Sequence, residues 1–288
     1  MLVMIRARNK EAFRKVLLSS GMVVCLFLTG CRDKSVDHHS RGIAYFEKGQ
    51  YEQAISYFTK SIETDPKNAE AYIYRAIAYK AKSEYDLAIS DYTKAIEINP
   101  KDAGAYYGRG LAYSKKSQHN QAISDYNKAI EINPKDAKAY SCRGAAYYDK
   151  GKYELAMSNY NKAIEIDPRE SLAYFGRGIL YKAKEEYDLA ISDYTKAIEI
   201  DPRLPEAYYN RGNVYSAKGQ YDLAISDYSK AIEINPTNAG AYFNRALTYC
   251  HKEEYEKTWE DVHKAQSLGF QTDPGFLKDL REASGREK

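Results

Sequence analysis

Residues 205–238, PEAYYNRGNVYSAKGQYDLAISDYSKAIEINPTN, decide the reading of this 288-residue chain. In the first half, Tyr208, Gly212 and Tyr215 fall at steps of four and three, which is one face of a helix. In the second half, Tyr221, Ala224, Ile225, Tyr228, Ala231 and Ile232 form a fuller stripe of the same period. Gly219 lies between the halves, where the chain must turn. Pro236 ends the second half, because proline drives the residue before it out of the helical region. The stretch therefore predicts two antiparallel helices joined by a short turn. Gly212, Ala224 and Ala231 would leave room for the rings of Tyr208, Tyr215 and Tyr228. A buried tyrosine hides roughly 150–250 Å², worth up to about 4–6 kcal/mol at about 25 cal/mol/Å² before entropy and denatured-state corrections. One helix pair has no second side against which to bury these rings, so copies must stack.

The copies are present. Pro66, Pro100, Pro134, Pro168, Pro202 and Pro236 recur every 34 residues, and repeats start at residues 35, 69, 103, 137, 171, 205 and 239. Tyr72, Ala76, Tyr79, Ala88, Tyr92, Ala95 and Pro100 of the second repeat recur in phase as Tyr174, Gly178, Tyr181, Ala190, Tyr194, Ala197 and Pro202 of the fifth. This pattern resembles the tetratricopeptide repeat (TPR) family. The resemblance implies an all-α fold, a right-handed α-solenoid of seven helix hairpins over residues 38–272. The first and last repeats depart from the pattern, at His38, Phe58 and Ser61 and at Thr258, Trp259 and Val262, as terminal repeats facing water do. Asp273 and Pro274 read as N-cap and first residue of a further helix. Phe276, Leu277, Leu280 and Ala283 give it an apolar stripe, so residues 273–288 are expected to form a capping helix and a frayed tail.

The formal charge of +3 belongs to the start of the chain, where residues 1–31 hold five basic residues and one acidic. The remainder is nearly neutral, which removes the electrostatic support for nucleic-acid binding. A basic segment running to Lys15 and an apolar stretch from Val16 to Leu28, too short for a comfortable membrane span, read as a signal sequence. Leu28, Thr29, Gly30 and Cys31 then resemble a bacterial lipobox, with Cys31 as the lipidated residue of a membrane-anchored protein. Arg32 after it favours the outer membrane, facing the periplasm. Residues 32–37 would be a short tether, reaching about 20 Å if extended. Cys142 and Cys250, three repeats apart, are expected to be free thiols.

A residue that recurs at one phase in every copy serves the shared scaffold. Arg41, Arg75, Arg109, Arg143, Arg177, Arg211 and Arg245 form such a row. Asp91, Asp125, Asp193, Asp227 and Asp261, with Asn159 in their phase, form a second. An internal Arg–Asp ladder is the expectation. A binding site belongs where the copies differ. By resemblance to the family, the inner groove is lined by repeat positions 2, 5, 6, 9, 12 and 13. These positions bring Tyr107, Phe175, Tyr209 and Phe243 forward as aromatic anchors. Asn210, Asn213 and Asn244 are the expected contacts to a partner's backbone, since an amide donates and accepts together. The lysine of the family's carboxylate clamp is replaced by Tyr209. No His, Cys or Asp spacing suggests a metal, no glycine-rich phosphate loop appears, and no cofactor or catalytic residue is expected. The chain reads as a non-enzymatic scaffold on the bacterial envelope holding a peptide or helix of a protein partner. The alternative is a glycan-binding accessory protein for polysaccharide export or cell-wall synthesis. Self-association through the solenoid ends is a third reading.

Overall fold

The computed structural model describes residues 29–285; the segment read as a signal sequence, as far as Leu28, and the last three residues lie outside them. Among the described residues every regular element is an α-helix: α1 (Thr29–Glu47), α2 (Tyr51–Thr64), α3 (Ala69–Ala81), α4 (Tyr85–Ile98), α5 (Ala103–Lys115), α6 (His119–Ile132), α7 (Ala137–Asp149), α8 (Tyr153–Ile166), α9 (Ser171–Ala183), α10 (Tyr187–Ile200), α11 (Pro205–Ala217), α12 (Tyr221–Ile234), α13 (Ala239–His251), α14 (Tyr255–Ser267) and α15 (Pro274–Ser284). The chain divides into two compact units, the first ending at Asn99 and the second beginning at Pro100. The first contains the hairpins α1–α2 and α3–α4, with α2 packed on α3. The second contains five hairpins, α5–α6 to α13–α14. In each unit the second helix of one hairpin packs on the first helix of the next, as in an α-solenoid. The trailing α15 closes on α14: Leu280 is buried with Ala246, Trp259 and Val262, and Phe276 and Leu277 pack against that cluster. Asp273 caps α15 by accepting from the Phe276 N–H at 2.9 Å.

The fit of small against large is tighter, and more selective, than the sequence implies. Tyr126, Tyr160, Tyr194 and Tyr228 are buried. A Cβ added to Gly110, Gly144, Gly178 or Gly212 would stand 2.7–2.9 Å from the ring of the tyrosine sixteen residues on. Tyr208 and Tyr215, expected to share that space, are instead only half-buried. They flank the guanidinium of Arg211, whose Cζ lies 5.9 and 5.8 Å from their ring centroids. Both rings are on the first helix and face the arginine on their own helix, so only the second-helix tyrosine reaches the gap that glycine leaves.

Each hairpin turns through a residue in the left-handed region. Gly49, Gly151 and Gly219 serve at three turns, but Ser83, Ser117, Glu185 and Glu253 serve at the others, with φ between 57° and 63°. A side chain there costs about 1–2 kcal/mol. The turn is therefore imposed by packing of the flanking helices rather than by glycine.

Residues 32–37, read as a tether, are part of α1. No glycine or proline separates Cys31 from Asp37, so nothing in this stretch interrupts the helix. Its rise there is about 9 Å rather than 20.

The arginine ladder is formed in five of the seven hairpins, whereas Arg41 is exposed and donates to Asp37 on its own helix. In Arg75–Asp91, Arg109–Asp125, Arg177–Asp193, Arg211–Asp227 and Arg245–Asp261, arginine Nε and Nη2 donate to the two carboxylate oxygens at 2.7–2.8 Å. The aspartates are 3–5% exposed. The third arginine nitrogen reaches back to the preceding hairpin: Arg75 Nη1 to Thr59, Arg177 Nη1 to Asn161, Arg211 Nη1 to Thr195 and Arg245 Nη1 to Ser229, at 2.7–2.9 Å. Burial alone would lower the Arg211 pKa, but the Asp227 carboxylate outweighs it and the net shift is upward. The exposed Lys–Glu pairs, such as Lys196–Glu199 and Lys230–Glu233, contribute little by comparison. Asp227→Ala is expected to destabilise the protein by about 3–5 kcal/mol, since it leaves Arg211 buried without its charge partner. Replacing both residues, Arg211→Met with Asp227→Leu, is expected to recover most of that loss in a denaturant melt.

Candidate functional site

The variable positions of the second unit lie on its first helices, α5, α7, α9, α11 and α13. On α9 the exposed Leu172 and the half-buried Phe175 and Ile179 follow one another at helical spacing. Together with Cys142 and Tyr148 of α7 they line an apolar depression of about 320 Å³. Gly176 floors it: a Cβ there would stand 2.3 Å from the Tyr160 ring. The Tyr160 ring of the preceding hairpin passes directly beneath and leaves no room for a side chain at this position. Phe175 rests on Tyr194, with centroids 6.0 Å apart, so one edge of the ring is held while the rest faces the depression.

One turn further along α9 stands Lys182. Its Nζ donates to Asn210 Oδ1 at 2.9 Å. Burial lowers its pKa. Its only side-chain partner among the described residues is that neutral amide. Asn210 is thereby committed on both sides, since its Nδ2 donates to the Glu206 carbonyl at 2.9 Å.

The other two asparagines meet. Asn244 Nδ2 donates to Tyr209 Oη at 3.0 Å and to Asn213 Oδ1 at 2.8 Å. Tyr228 Oη donates to the same Asn213 oxygen at 2.8 Å. Asn213 Nδ2 and Asn244 Oδ1 have no hydrogen-bond partner among the described residues. A free donor and a free acceptor thus sit on adjacent first helices, the pair of functions that one peptide unit of a ligand requires. The sequence pairs Asn210 with Asn244 by phase; the structure pairs Asn213 with Asn244.

The remaining anchors are less available. Tyr107 lies on Tyr126, centroids 6.1 Å apart, and its Oη is 3.6 Å from Cys142 Sγ; burial pushes its pKa up. Tyr209 lies on Tyr228 at 6.0 Å. Phe243 is stacked on Phe270 at 4.4 Å and meets Phe276 edge-on at 5.7 Å, so the segment leading into α15 occupies its faces. Leu172, Ile179 and Lys182, which sequence reasoning did not single out, do fall at groove positions 2, 9 and 12, and that phase was the available signal. Cys142 and Cys250 are free thiols. No group of three or more His, Cys, Asp or Glu that could hold a metal occurs among the described residues, and no described helix is long and apolar enough to cross a membrane.

Sequence profiles described as tetratricopeptide repeat match residues 38–68 and 205–238, and 57–90 and 228–260. A profile described as TPR repeat matches 78–117, 114–151, 144–184 and 180–219. Together they run without a gap from residue 38 to residue 260. No curated protein matches the chain. Among solved structures the chain is similar to a tetratricopeptide repeat protein from Parabacteroides merdae ATCC 43184, at 22% identity and TM-score 0.65, over 88% of this chain and 99% of that one. It is also similar to MamA, at 29% identity and TM-score 0.51, over 56% of this chain and 94% of that one. Pseudomonas aeruginosa pilF shares the fold at 18% identity and TM-score 0.64, over 78% and 99%.

The buried tyrosine hydroxyls separate two kinds of rung. Tyr228 Oη is bonded to Asn213, whereas Tyr194 Oη is buried with no partner. Tyr194→Phe is therefore expected to be neutral or to stabilise by up to about 1–3 kcal/mol, and Tyr228→Phe to destabilise by about 1 kcal/mol. Parallel thermal melts of the two variants decide this.

Proposed function

The chain belongs to the tetratricopeptide repeat family, and on that premise we propose that it is a non-enzymatic scaffold holding an extended segment or a helix of another protein against the first helices of its second unit. The observation that carries this reading is the run of unlike functions along that face. An apolar depression between α7 and α9 is followed by Lys182 and then by the open Asn213–Asn244 pair. An apolar side chain of the partner would fill the depression, walled by Leu172, Phe175 and Ile179. The free amide donor and acceptor would hold its backbone. Anchors of this kind dominate interface energy while their surroundings mainly exclude water. Lys182 favours a partner that carries a carboxylate next to its apolar anchor.

Phe175, Asn213 and Asn244 are retained in this site from the sequence reading. Tyr107, Tyr209, Asn210 and Phe243 act behind it, by fixing the positions of the groups in front. A photo-reactive residue placed at Leu172 is expected to cross-link in cells to one short polypeptide segment. The double variant Ile179→Ser, Lys182→Ala, which leaves the Tyr228–Asn213 bond in place, is expected to lose that cross-link while keeping a cooperative thermal transition. Retention on a glycan matrix, lost in the same variant, would instead favour the polysaccharide-linked reading. Absence of both would overturn the assignment of this face.

The address is a second part of the proposal. We read residues 1–31 as a lipoprotein signal and Cys31 as the lipid-bearing residue. The support is the sequence Leu28–Thr29–Gly30–Cys31 directly after an apolar stretch. The protein would then be tethered to the bacterial envelope, on the periplasmic side of the outer membrane, with the repeats beginning within one helix of the anchor. Metabolic labelling with a palmitate analogue is expected to mark the wild type and to be lost in Cys31→Ser. An unlabelled wild type would remove the anchor and leave the interaction face untouched.

A further inference from the structure

One rung of the arginine ladder lacks its carboxylate. In the hairpin α7–α8, Asn159 stands where five sister hairpins carry aspartate. Its Oδ1 accepts from Arg143 Nε at 2.8 Å, and Asn127 Oδ1 accepts from Arg143 Nη1 at 2.7 Å. The Asn159 amide nitrogen turns away and donates to the Leu155 carbonyl at 2.7 Å. Arg143 Nη2, which donates to a carboxylate oxygen in the five sister rungs, has no partner here, and Arg143 makes no ion pair with any described residue. The guanidinium is half-buried, with Cζ 5.1 Å from the Tyr140 ring centroid. Burial lowers its pKa, whereas the aspartate-paired Arg177 and Arg211 are shifted upward. Arg143 opens onto a depression of about 530 Å³ along α8, lined also by Ser158, Lys162, Glu154 and Glu165.

We propose that this rung is a binding site for a carboxylate, which supplies from outside the charge that aspartate supplies in the sister rungs. The open donor is Arg143 Nη2, since the Asn159 amide nitrogen is engaged with the Leu155 carbonyl. A cation held in a partly dry site binds an anion more strongly than the same cation in water. Charge-assisted hydrogen bonds of guanidinium to carboxylate are among the stronger polar contacts. The rim selects a monoanion over a phosphate. Lys162 is already paired with Glu165 at 2.8 Å, and the carboxylates of Glu154 and Glu165 repel a dianion. The site lies on α7 and α8 at the ladder, apart from the asparagine pair, so it stands or falls independently of the interaction face proposed above.

The test uses the full chain with nitrogen-15 arginine, titrated with sodium acetate against sodium chloride at constant ionic strength. The side-chain resonances of Arg143 are expected to shift saturably with acetate, and those of Arg177 and Arg211 to stay in place. Asn159→Asp, which restores the sister rung, is expected to remove the acetate response and to raise the melting temperature without acetate. Shifts at Arg143 that never saturate and merely follow those of Arg177, or an acetate response that survives in Asn159→Asp, would overturn the proposal. The same titration with acetyl-aspartate amide separates the sources. A response several-fold stronger than that to acetate assigns the site to an acidic side chain of another polypeptide, and an equal or weaker response assigns it to free small carboxylates.

Discussion

The guanidinium at the seventh position of the five complete rungs governs the spacing of the helices around it. Arg211 is typical. It grips Asp227 on the second helix of its own hairpin with two nitrogens and Thr195 on the second helix of the preceding hairpin with the third. Three helices therefore converge on one planar group with five donors in a fixed fork. A lysine could satisfy the charge but not the angles. The flanking tyrosines cover the guanidinium faces and leave only its edges for hydrogen bonding. The cost of burying a charge is met by a carboxylate that is itself nearly dry, an arrangement that rewards complete rungs and penalises incomplete ones.

This constraint acts together with the glycine–tyrosine contact, and the two define complementary limits. The contact of Gly110, Gly144, Gly178 and Gly212 with the ring sixteen residues on sets how closely the two helices of a hairpin approach. The ladder sets how one hairpin is rotated on the next. With both fixed, the hairpin turn has little freedom, which explains why serine and glutamate tolerate a left-handed backbone at four turns. Position within the repeat, rather than local propensity, decides the conformation there.

The proposed contacts lie where the repeat is broken. The Tyr160 ring fills the space beneath Gly176 and so creates the floor of the apolar depression. Asn213 replaces the aliphatic residue of its phase and gathers Tyr228 and Asn244 around it. Asn159 replaces aspartate and leaves a guanidinium open. Each departure is a single residue, and each produces a polar or apolar opening in an otherwise satisfied lattice. The proposed partner-facing chemistry is therefore a set of local exceptions laid on a common frame.

Periodicity alone was enough to read the hairpins, their stacking, the glycine and alanine positions and the Arg–Asp pairing, because all of these repeat and a repeated residue type reports on a shared environment. The closing helix occurs once and was legible from its Asp273–Pro274 cap and its apolar stripe. The same logic failed where two residues of one phase do different work. Asn210 and Asn244 are equivalent by position, yet Lys182 captures the first while Asn213 and Tyr209 engage the second. Phe243 matches Phe175 in phase, but only Phe243 lies next to the segment that enters α15. Residues 32–37 carried no signal separating tether from helix. What the sequence determined is the frame, because every copy votes on it. What only the tertiary structure decided is which side chains remain open, because that depends on a neighbour in the adjacent hairpin, and each such neighbour occurs once.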